Sequence, residues 1–410
     1  MTAGVRSRMA VFGNHRYRLL FLATLGSGIG TYAATIAMAS DIDDRTNSTW
    51  WVSLLFIVTF VPSIFVGILV GPLIDRLSRK MLIITADVVR LGVFAILPFA
   101  DHPATMIILA FVAGVANSFF RPAVLAGVPN LVDEHDLDAA TSLLQGTDWV
   151  AAAIGPVIAG ALVSLSSPHV VYWINAVTFL YSAVLILRIP ARLLQSELGI
   201  SRGHWRDLHE GLASFRGSTA LRITVLGFGL TMIATGLVNV SEIFLAKRSL
   251  GTGAFGYGLL WTGSGVGLVV GSIVTGFLLS RHDVLDTYVF AFVPIAVGII
   301  GAAAAPNIWI ATIAMTMTGF GNGLAFPMTI LIIQRHTTDR LRGRTFTLVI
   351  SFHNAVLGLA MVASSALTAA ASARWTYVVA AVCAAGSSVV VLALLRGTTR
   401  APALSSGATA

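Results

Sequence analysis

The chain has 410 residues, of which 56% are hydrophobic and only 11% charged, with a mean hydropathy of +0.85. That is more apolar surface than a soluble globular chain can bury, so it reads as an all-α polytopic membrane protein. The net charge of +8 does not point to nucleic acid as a partner, because the basic residues sit in short breaks between apolar runs. The single cysteine, Cys383, excludes an internal disulfide or a cysteine metal cluster. No metal or cofactor is expected.

In chain order, Arg6, Arg8, Arg16 and Arg18 lead into a long uncharged run without a cleavage-like boundary, which predicts a retained anchor helix. Apolar runs long enough to cross the bilayer lie near 17–40, 50–73, 81–100, 103–130, 141–165, 169–188, 221–246, 255–280, 285–304, 307–333, 345–370 and 375–396. Twelve spans place both termini on one side. The break Gly71-Pro72-Leu73-Ile74-Asp75-Arg76-Leu77-Ser78-Arg79-Lys80 is basic and turn-rich, which assigns that side to the cytoplasm. The opposite turns hold only Arg45, Lys247, Arg248 and Arg374 of the 26 basic residues, and Arg90 and Arg121 fall within runs. Trp50, Trp51, Trp173, Trp309 and Trp375 fall at the predicted outer ends, as an aromatic belt would place them.

The long polar stretch Ile189 to Arg222 divides the runs six and six. In it Trp205, Leu208, Leu212 and Phe215 recur at helical spacing, which suggests an amphipathic helix on the inner membrane surface. The expected organisation is an N-terminal six-helix bundle over 1–188, a cytoplasmic linker over 189–220 and a C-terminal six-helix bundle over 221–410. The halves also match at a fixed offset of 205 residues: Gly71, Arg76, Asn117, Pro122 and Tyr172 map onto Gly276, Arg281, Asn322, Pro327 and Tyr377. A duplicated six-helix unit explains this, giving two pseudo-symmetric bundles.

Asp87, Arg90, Arg121 and Asp148 lie inside runs, where a charge is costly unless paired or facing a wet cavity. Their depths agree, so the four are expected to form one neutral layer. Two readings stay open: structural glue between helices, or coupling by at least one carboxylate, with Asp148 the first candidate. At the offset of 205, Asp87, Arg90, Arg121 and Asp148 become Phe292, Ile295, Phe326 and His353, so the second half has lost the charges. Asn117, Asn322, Glu242, His353 and Asn354 are candidates for the cavity, with interhelical hydrogen bonding as the plainer role of the asparagines and the histidine. Glu242 either pairs with Lys247 or Arg248 or forms a cation-attracting mouth. Gly155-Pro156, flanked by Ala151 and Ala159, predicts a bend or tight crossing in the fifth run, and the glycines between Gly256 and Gly276 predict close packing of the eighth.

These features resemble the major facilitator superfamily over essentially the whole chain. The Gly71 to Lys80 loop is similar to the signature between helices 2 and 3, and Gly155-Pro156 to the antiporter signature of helix 5. Asp87-Val88-Val89-Arg90, Phe120-Arg121-Pro122-Ala123, Gly256-Tyr257-Gly258 and Arg342-Gly343-Arg344 resemble the bacterial branch of siderophore exporters and macrolide-efflux proteins. The resemblance implies an inner gate in which Asp75 locks near Arg344 and Thr345, while Arg76 and Arg79 meet acids such as Asp133 or Glu134, with Gly71 opening the loop. Ser78 departs from the usual Gly, and Ala110 stands where many drug exporters carry Arg.

The expected function is a secondary transporter in a bacterial plasma membrane, working as a monomer and exporting small, largely apolar molecules by alternating access in exchange for protons. Uptake of a small metabolite is the alternative. An enzyme is not expected, since the one acidic cluster, Asp41-Ile42-Asp43-Asp44, is placed on a short outer loop beside Arg45 without partners for phosphate or metal chemistry.

Overall fold

The computed structural model describes residues 11–65, 78–194, 218–337 and 339–399. They form twelve long helices: α1 His15–Thr46, α2 Thr49–Phe65, α3 Arg79–Ile96, α4 Pro103–Gly127, α5 Leu137–Leu165, α6 Pro168–Leu187, α7 Thr219–Phe244, α8 Gly253–Leu279, α9 Val284–Ala304, α10 Ile308–Arg335, α11 Asp339–Ala370 and α12 Ala373–Thr399. Eleven are long and apolar enough to cross a membrane, and α2 begins as a shorter apolar helix. At 1.5 Å per residue about 20 residues cover the hydrocarbon core.

Local sequence sets the ends. Asn14 opens α1 by accepting from the Arg16 and Tyr17 amides at 3.0 and 3.3 Å, and Asn47 closes it in the left-handed region at φ 49°. Asp283 and Asn307 cap α9 and α10 through the Leu285 and Ile310 amides at 2.8 and 3.0 Å. Pro103 and Pro168 occupy first turns, where a missing N–H costs nothing. The acidic run Asp41 to Asp44 is a correction to expectation: it completes α1 instead of lying on a loop, because the chain does not turn until Asn47.

Packing repeats between the halves. In the first six helices α1 meets α5 and α6, α3 meets α4 and α6, and α2 meets α4. In the last six, α7 meets α11 and α12, α9 meets α10 and α12, and α8 meets α10, which is the same pattern shifted by six helices. The bundles join along α2 with α11 and α5 with α8, again a symmetric pair. Large apolar side chains such as Ile108, Ile273, Phe290 and Leu359 stand exposed on the outside, as lipid contact requires, and Trp50, Trp173, Trp309 and Trp375 are exposed with them.

Glycine lets α8 serve two partners. A Cβ on Gly265 would stand 2.6 Å from Ala153 Cα on α5, and one on Gly263 would stand 2.7 Å from the Thr312 carbonyl oxygen on α10. Neither backbone can yield, so the close crossings exist because no side chain is there. The face of the bundle carrying His15 and Thr399 is called the near face below, and the face carrying Asn47 and Gly251 the far face. Among the described residues, hydrogen bonds between the bundles gather at the far face: Thr49 and Ser365 each donate a hydroxyl to the other's carbonyl at 3.2 and 2.9 Å, and Ser53 donates to the Met361 carbonyl at 2.8 Å.

Candidate functional site: a cavity between α1, α4 and α5

A cavity of about 230 Å³ opens within the first bundle, bordered by α1, α2, α4 and α5, with Arg90 of α3 at its edge. On α1, Thr24, Ser27, Thr31 and Thr35 form a polar stripe at helical spacing along its wall. Each hydroxyl donates to its own helix, at 2.9, 3.4, 2.7 and 3.0 Å, which leaves oxygen lone pairs facing the cavity. This stripe is not among the residues expected from the sequence to line a cavity. Its signal is the recurrence of Thr and Ser every three or four residues in an otherwise apolar run.

Across from it, Arg121 on α4 forms an ion pair with Asp148 on α5 and donates a second hydrogen bond to Gln145. Their side chains are 32% and 31% exposed, so this pair is half-open to the cavity. Arg90 and Asp87 on α3 are 3% and 0% exposed. Arg90 donates to Asp87 at 2.6 Å and to Asn117 at 3.1 Å, while Phe120 and Phe179 cover its two faces at 4.2 and 4.3 Å. Ser182 donates to the other Asp87 oxygen at 2.7 Å. The expected single layer of four charges is thus resolved into two pairs with different surroundings: a buried one, Asp87 with Arg90, of which only Arg90 reaches the cavity's edge, and an open one, Asp148 with Arg121. The pairing follows from helix geometry, since Asp87 and Arg90 are one turn apart on the same face.

The positions offset from Arg121 and Asp148 in the second bundle are aromatic. Phe228 stands 6.2 Å from Phe326 and 5.1 Å from His353, the counterparts of Arg121 and Asp148. His353 is 2% exposed, with the Val225 backbone as polar neighbour, and does not reach the cavity. Asn322 donates to the Thr318 carbonyl of its own helix at 3.2 Å. Asn354 borders a separate small void between α2 and α11. Of the five cavity candidates only Asn117 lines the cavity beside Arg121.

Glu242 corrects two expectations, since it neither pairs with Lys247 or Arg248 nor forms a mouth. It is 2% exposed, while Lys247 pairs with Asp44 at 2.7 Å and Arg248 with Asp43 at 2.9 Å on α1. The cause is the π-helical turn Leu245–Ser249, which swings both cations toward the other bundle. Gly155 and Pro156 lie in a helix that runs unbroken from Leu137 to Leu165, and their visible use is close approach: a Cβ on Gly155 would stand 2.7 Å from the Ile29 carbonyl oxygen, and the Pro156 carbonyl abuts Gly258.

Of the gate residues, Gly71, Asp75 and Arg76 lie outside the described residues, as does the side chain of Arg344 near the start of α11. Arg79 donates to the Ala126 carbonyl at 2.7 Å and not to the expected acids Asp133 and Glu134. Lys80 binds the Leu187 and Ile189 carbonyls at 2.8 and 2.6 Å, tying α3 to the end of α6.

Two repeated six-helix bundles joined along α2 with α11 and α5 with α8, and a polar cavity within the spans, define a transporter of the major facilitator type. Solved structures agree on the fold: the nucleoside transporter NupG at TM-score 0.76 and 13% identity, covering 92% of this chain and 99% of that one, and a bacterial homologue of the iron transporter ferroportin at 0.72 and 13%, covering 92% and 98%. The family model described as transmembrane secretion effector matches residues 6–408, and the chain belongs to that family. Relatives include the putative bacilysin exporter BacE of Bacillus amyloliquefaciens, 26% identical over 86% of this chain and 88% of its own length. The enterobactin exporter EntS of Citrobacter koseri is 26% identical over 80% and 79%, and macrolide efflux protein A of Streptococcus pyogenes 25% over 47% and 48%. The chain is a membrane-embedded transporter of small molecules and not an enzyme, and such a multi-span protein belongs in the plasma membrane.

Proposed function

We propose that the chain exports small, largely apolar molecules from the cytoplasm in exchange for protons, as a monomer with both termini cytoplasmic. The near face is then the cytoplasmic one, which agrees with the concentration of Arg and Lys in its turns. Residues 189–220 act as the linker between bundles 1–188 and 221–410. Three relatives named for export or efflux support the direction, and the apolar part of the cavity wall, Phe60, Phe120, Val124, Leu125 and Leu144, supports a substrate with a large apolar part, held beside the polar stripe of α1.

The observation that carries the coupling is the half-open Arg121–Asp148 pair in the cavity wall. Protonating Asp148 leaves Arg121 with Gln145 as its partner and the cavity wall with a net positive charge. That change biases the contact of α5 with α8, on which both bundles meet, and so ties proton occupancy to which face is open. Gly71, Asp75, Arg76, Arg79 and Arg344 serve as the cytoplasmic gate in this reading.

The experiment begins with a deletion strain screened for hypersensitivity to chemically diverse toxins and siderophores. A hit is then assayed in inverted vesicles. Wild-type protein is expected to accumulate it when the vesicle interior is acidified, and Asp148→Asn is expected to lose that accumulation while retaining exchange at equal pH. Gradient-driven accumulation by Asp148→Asn refutes coupling through this pair.

A further inference from the structure

At the far face the second bundle contains a sealed polar pocket apart from the cavity. Glu242, in the last turn of α7, is 2% exposed and its Oε1 has no hydrogen-bond partner among the described residues. The carboxyl lies within electrostatic reach of Tyr257 on α8 and Tyr377 on α12, both fully buried, and the Tyr377 hydroxyl is likewise unpartnered. The Trp261 ring stands edge-on to Tyr257 at 6.4 Å and stacks on Phe56 of α2 at 6.5 Å. The pocket therefore abuts the seam between the bundles.

In the first bundle the equivalent tyrosine also meets a carboxylate, though from a different position, since Asp41 corresponds to Ala246 and Glu242 to Ala37. At the offset of 205, Tyr377 corresponds to Tyr172, whose hydroxyl donates to Asp41 at 2.8 Å. Arg45 neutralises that carboxylate at 2.6 Å. In the second bundle the position of Arg45 is Leu250, and the nearby cations are taken: Lys247 binds Asp43 and Asp44, and Arg248 binds Asp43. The other groups facing the pocket supply no positive charge either. They are the Tyr257 hydroxyl and the Trp261 indole from α8, the Tyr377 hydroxyl from α12 and Asp43 from α1, while beside the pocket α11 meets α7 through Leu357, Ala360 and Ser364, none of them titratable; His353 of α11 meets α7 at Phe228, well along the helix from Glu242. An ionised carboxylate without a cation is costly in a dry site.

We propose that the Glu242–Tyr257–Tyr377 pocket is a proton-binding site whose occupancy holds the far face closed. The Glu242 carboxyl carries the proton while the seam formed by Phe56 with Trp261 and Thr49 with Ser365 is shut. When the seam opens, water reaches the carboxyl and the proton leaves to the far side; an ionised Glu242 then opposes closure until it is reprotonated. Its place in a transport cycle rests on the proton-exchange reading above, but the site and its effect on the seam do not.

The test uses purified full-length protein in lipid nanodiscs, with Cys383→Ser and spin labels on Trp50→Cys and Ala371→Cys reporting the far-face separation. The open fraction is expected to rise with pH, by at most tenfold per unit for one proton. The sign follows from the closed state binding the proton more tightly: closure is fully supported at low pH and weakens as pH rises. Glu242→Gln is expected to stay largely closed, with its pH response reduced to the part that Asp148 carries and lost in the double variant with Asp148→Asn, while Asp43→Asn and Asp148→Asn alone keep the Glu242 response. Tyr377→Phe, which removes a hydroxyl that would donate to the ionised form, is expected to extend the rise to higher pH and a larger open fraction. A wild-type response in Glu242→Gln, or no response in the wild type, overturns the proposal. Loss of the response in Asp148→Asn with its retention in Glu242→Gln also overturns it, and leaves proton exchange through Asp148 standing.

Discussion

Replacing Arg90 with Ala is expected to destabilise the protein by about 3–5 kcal/mol, the cost of leaving one member of a buried ion pair behind. The structure gives the reason. Asp87 is 0% exposed, and without Arg90 its remaining side-chain donor is Ser182 at 2.7 Å. Arg90 also fills the space between Phe120 and Phe179, so its removal forfeits two cation–π contacts and opens a void. Arg121→Ala is expected to cost about 1 kcal/mol or less, because a pair a third exposed to a wet cavity is screened and its partner can be solvated. The order of the two values matters more than either figure. Equilibrium unfolding of each variant in mixed micelles containing dodecyl sulfate, followed by tryptophan fluorescence, gives the comparison. The double variant Asp87→Leu with Arg90→Met is expected to recover to within about 2 kcal/mol of wild type, since removing both charges removes the desolvation problem. If Arg90→Ala costs no more than Arg121→Ala, or if the Asp87→Leu and Arg90→Met losses simply add, the buried pair does not carry the stability assigned to it.

Two further outcomes test the seam between the bundles. Gly265→Leu is expected to lower thermal stability in detergent by several degrees and to disturb far-face closure, because its side chain would meet the Ala152–Ala153 backbone of α5, whereas Gly276→Ala, with open space around it, is expected to melt with wild type. Ser365→Ala removes the hydroxyl that donates to the Thr49 carbonyl at 2.9 Å; a shift of about 1 kcal/mol toward the far-open form is expected in the spin-label distance distribution, and an unchanged distribution would show that the bond does not hold the seam.

The spans were legible because their signal is collective: twenty apolar residues in a row admit few other structures, and each predicted run overlaps a helix from α1 to α12. The buried charges were legible for the same reason, since Asp87, Arg90, Arg121 and Asp148 stand out in apolar company. Their partners were not. Arg90 and Asp87 are three residues apart and pair on one helix, but Arg121 and Asp148 meet only because α4 and α5 flank one cavity, which residue depth alone does not reveal. Glu242 misled for a geometric reason. Five and six residues separate it from Lys247 and Arg248, close enough to suggest a pair, yet the π turn between them rotates both cations onto Asp43 and Asp44. The Thr24 to Thr35 stripe was overlooked because threonine and serine are common enough in spans to pass as packing residues.

The two bundles keep one packing pattern and differ in chemistry, and the difference has a direction. Every charged position of the first bundle in the membrane interior is apolar or aromatic in the second, apart from His353: Asp87 and Arg90 become Phe292 and Ile295, and Arg121 becomes Phe326. Tyr288 and Phe292 stack edge-on at 4.8 Å where the first bundle holds its buried ion pair, so the volume is retained and the charge is not. Symmetric packing is what a rocking motion needs, because α2 with α11 and α5 with α8 must exchange contacts in mirrored fashion when the open face changes. Charge has no such requirement. Each ionised group in the spans costs solvation free energy in both end states, so a second copy would add that cost without adding a proton-sensitive step unless it titrated at a different point of the cycle. A transporter built this way is expected to keep titrating groups where they change state, at the cavity wall beside Asp148 and behind the far-face seam at Glu242, to need the buried Asp87–Arg90 pair in one bundle only, for stability, and to fill the equivalent positions with apolar or aromatic side chains that preserve the crossing geometry.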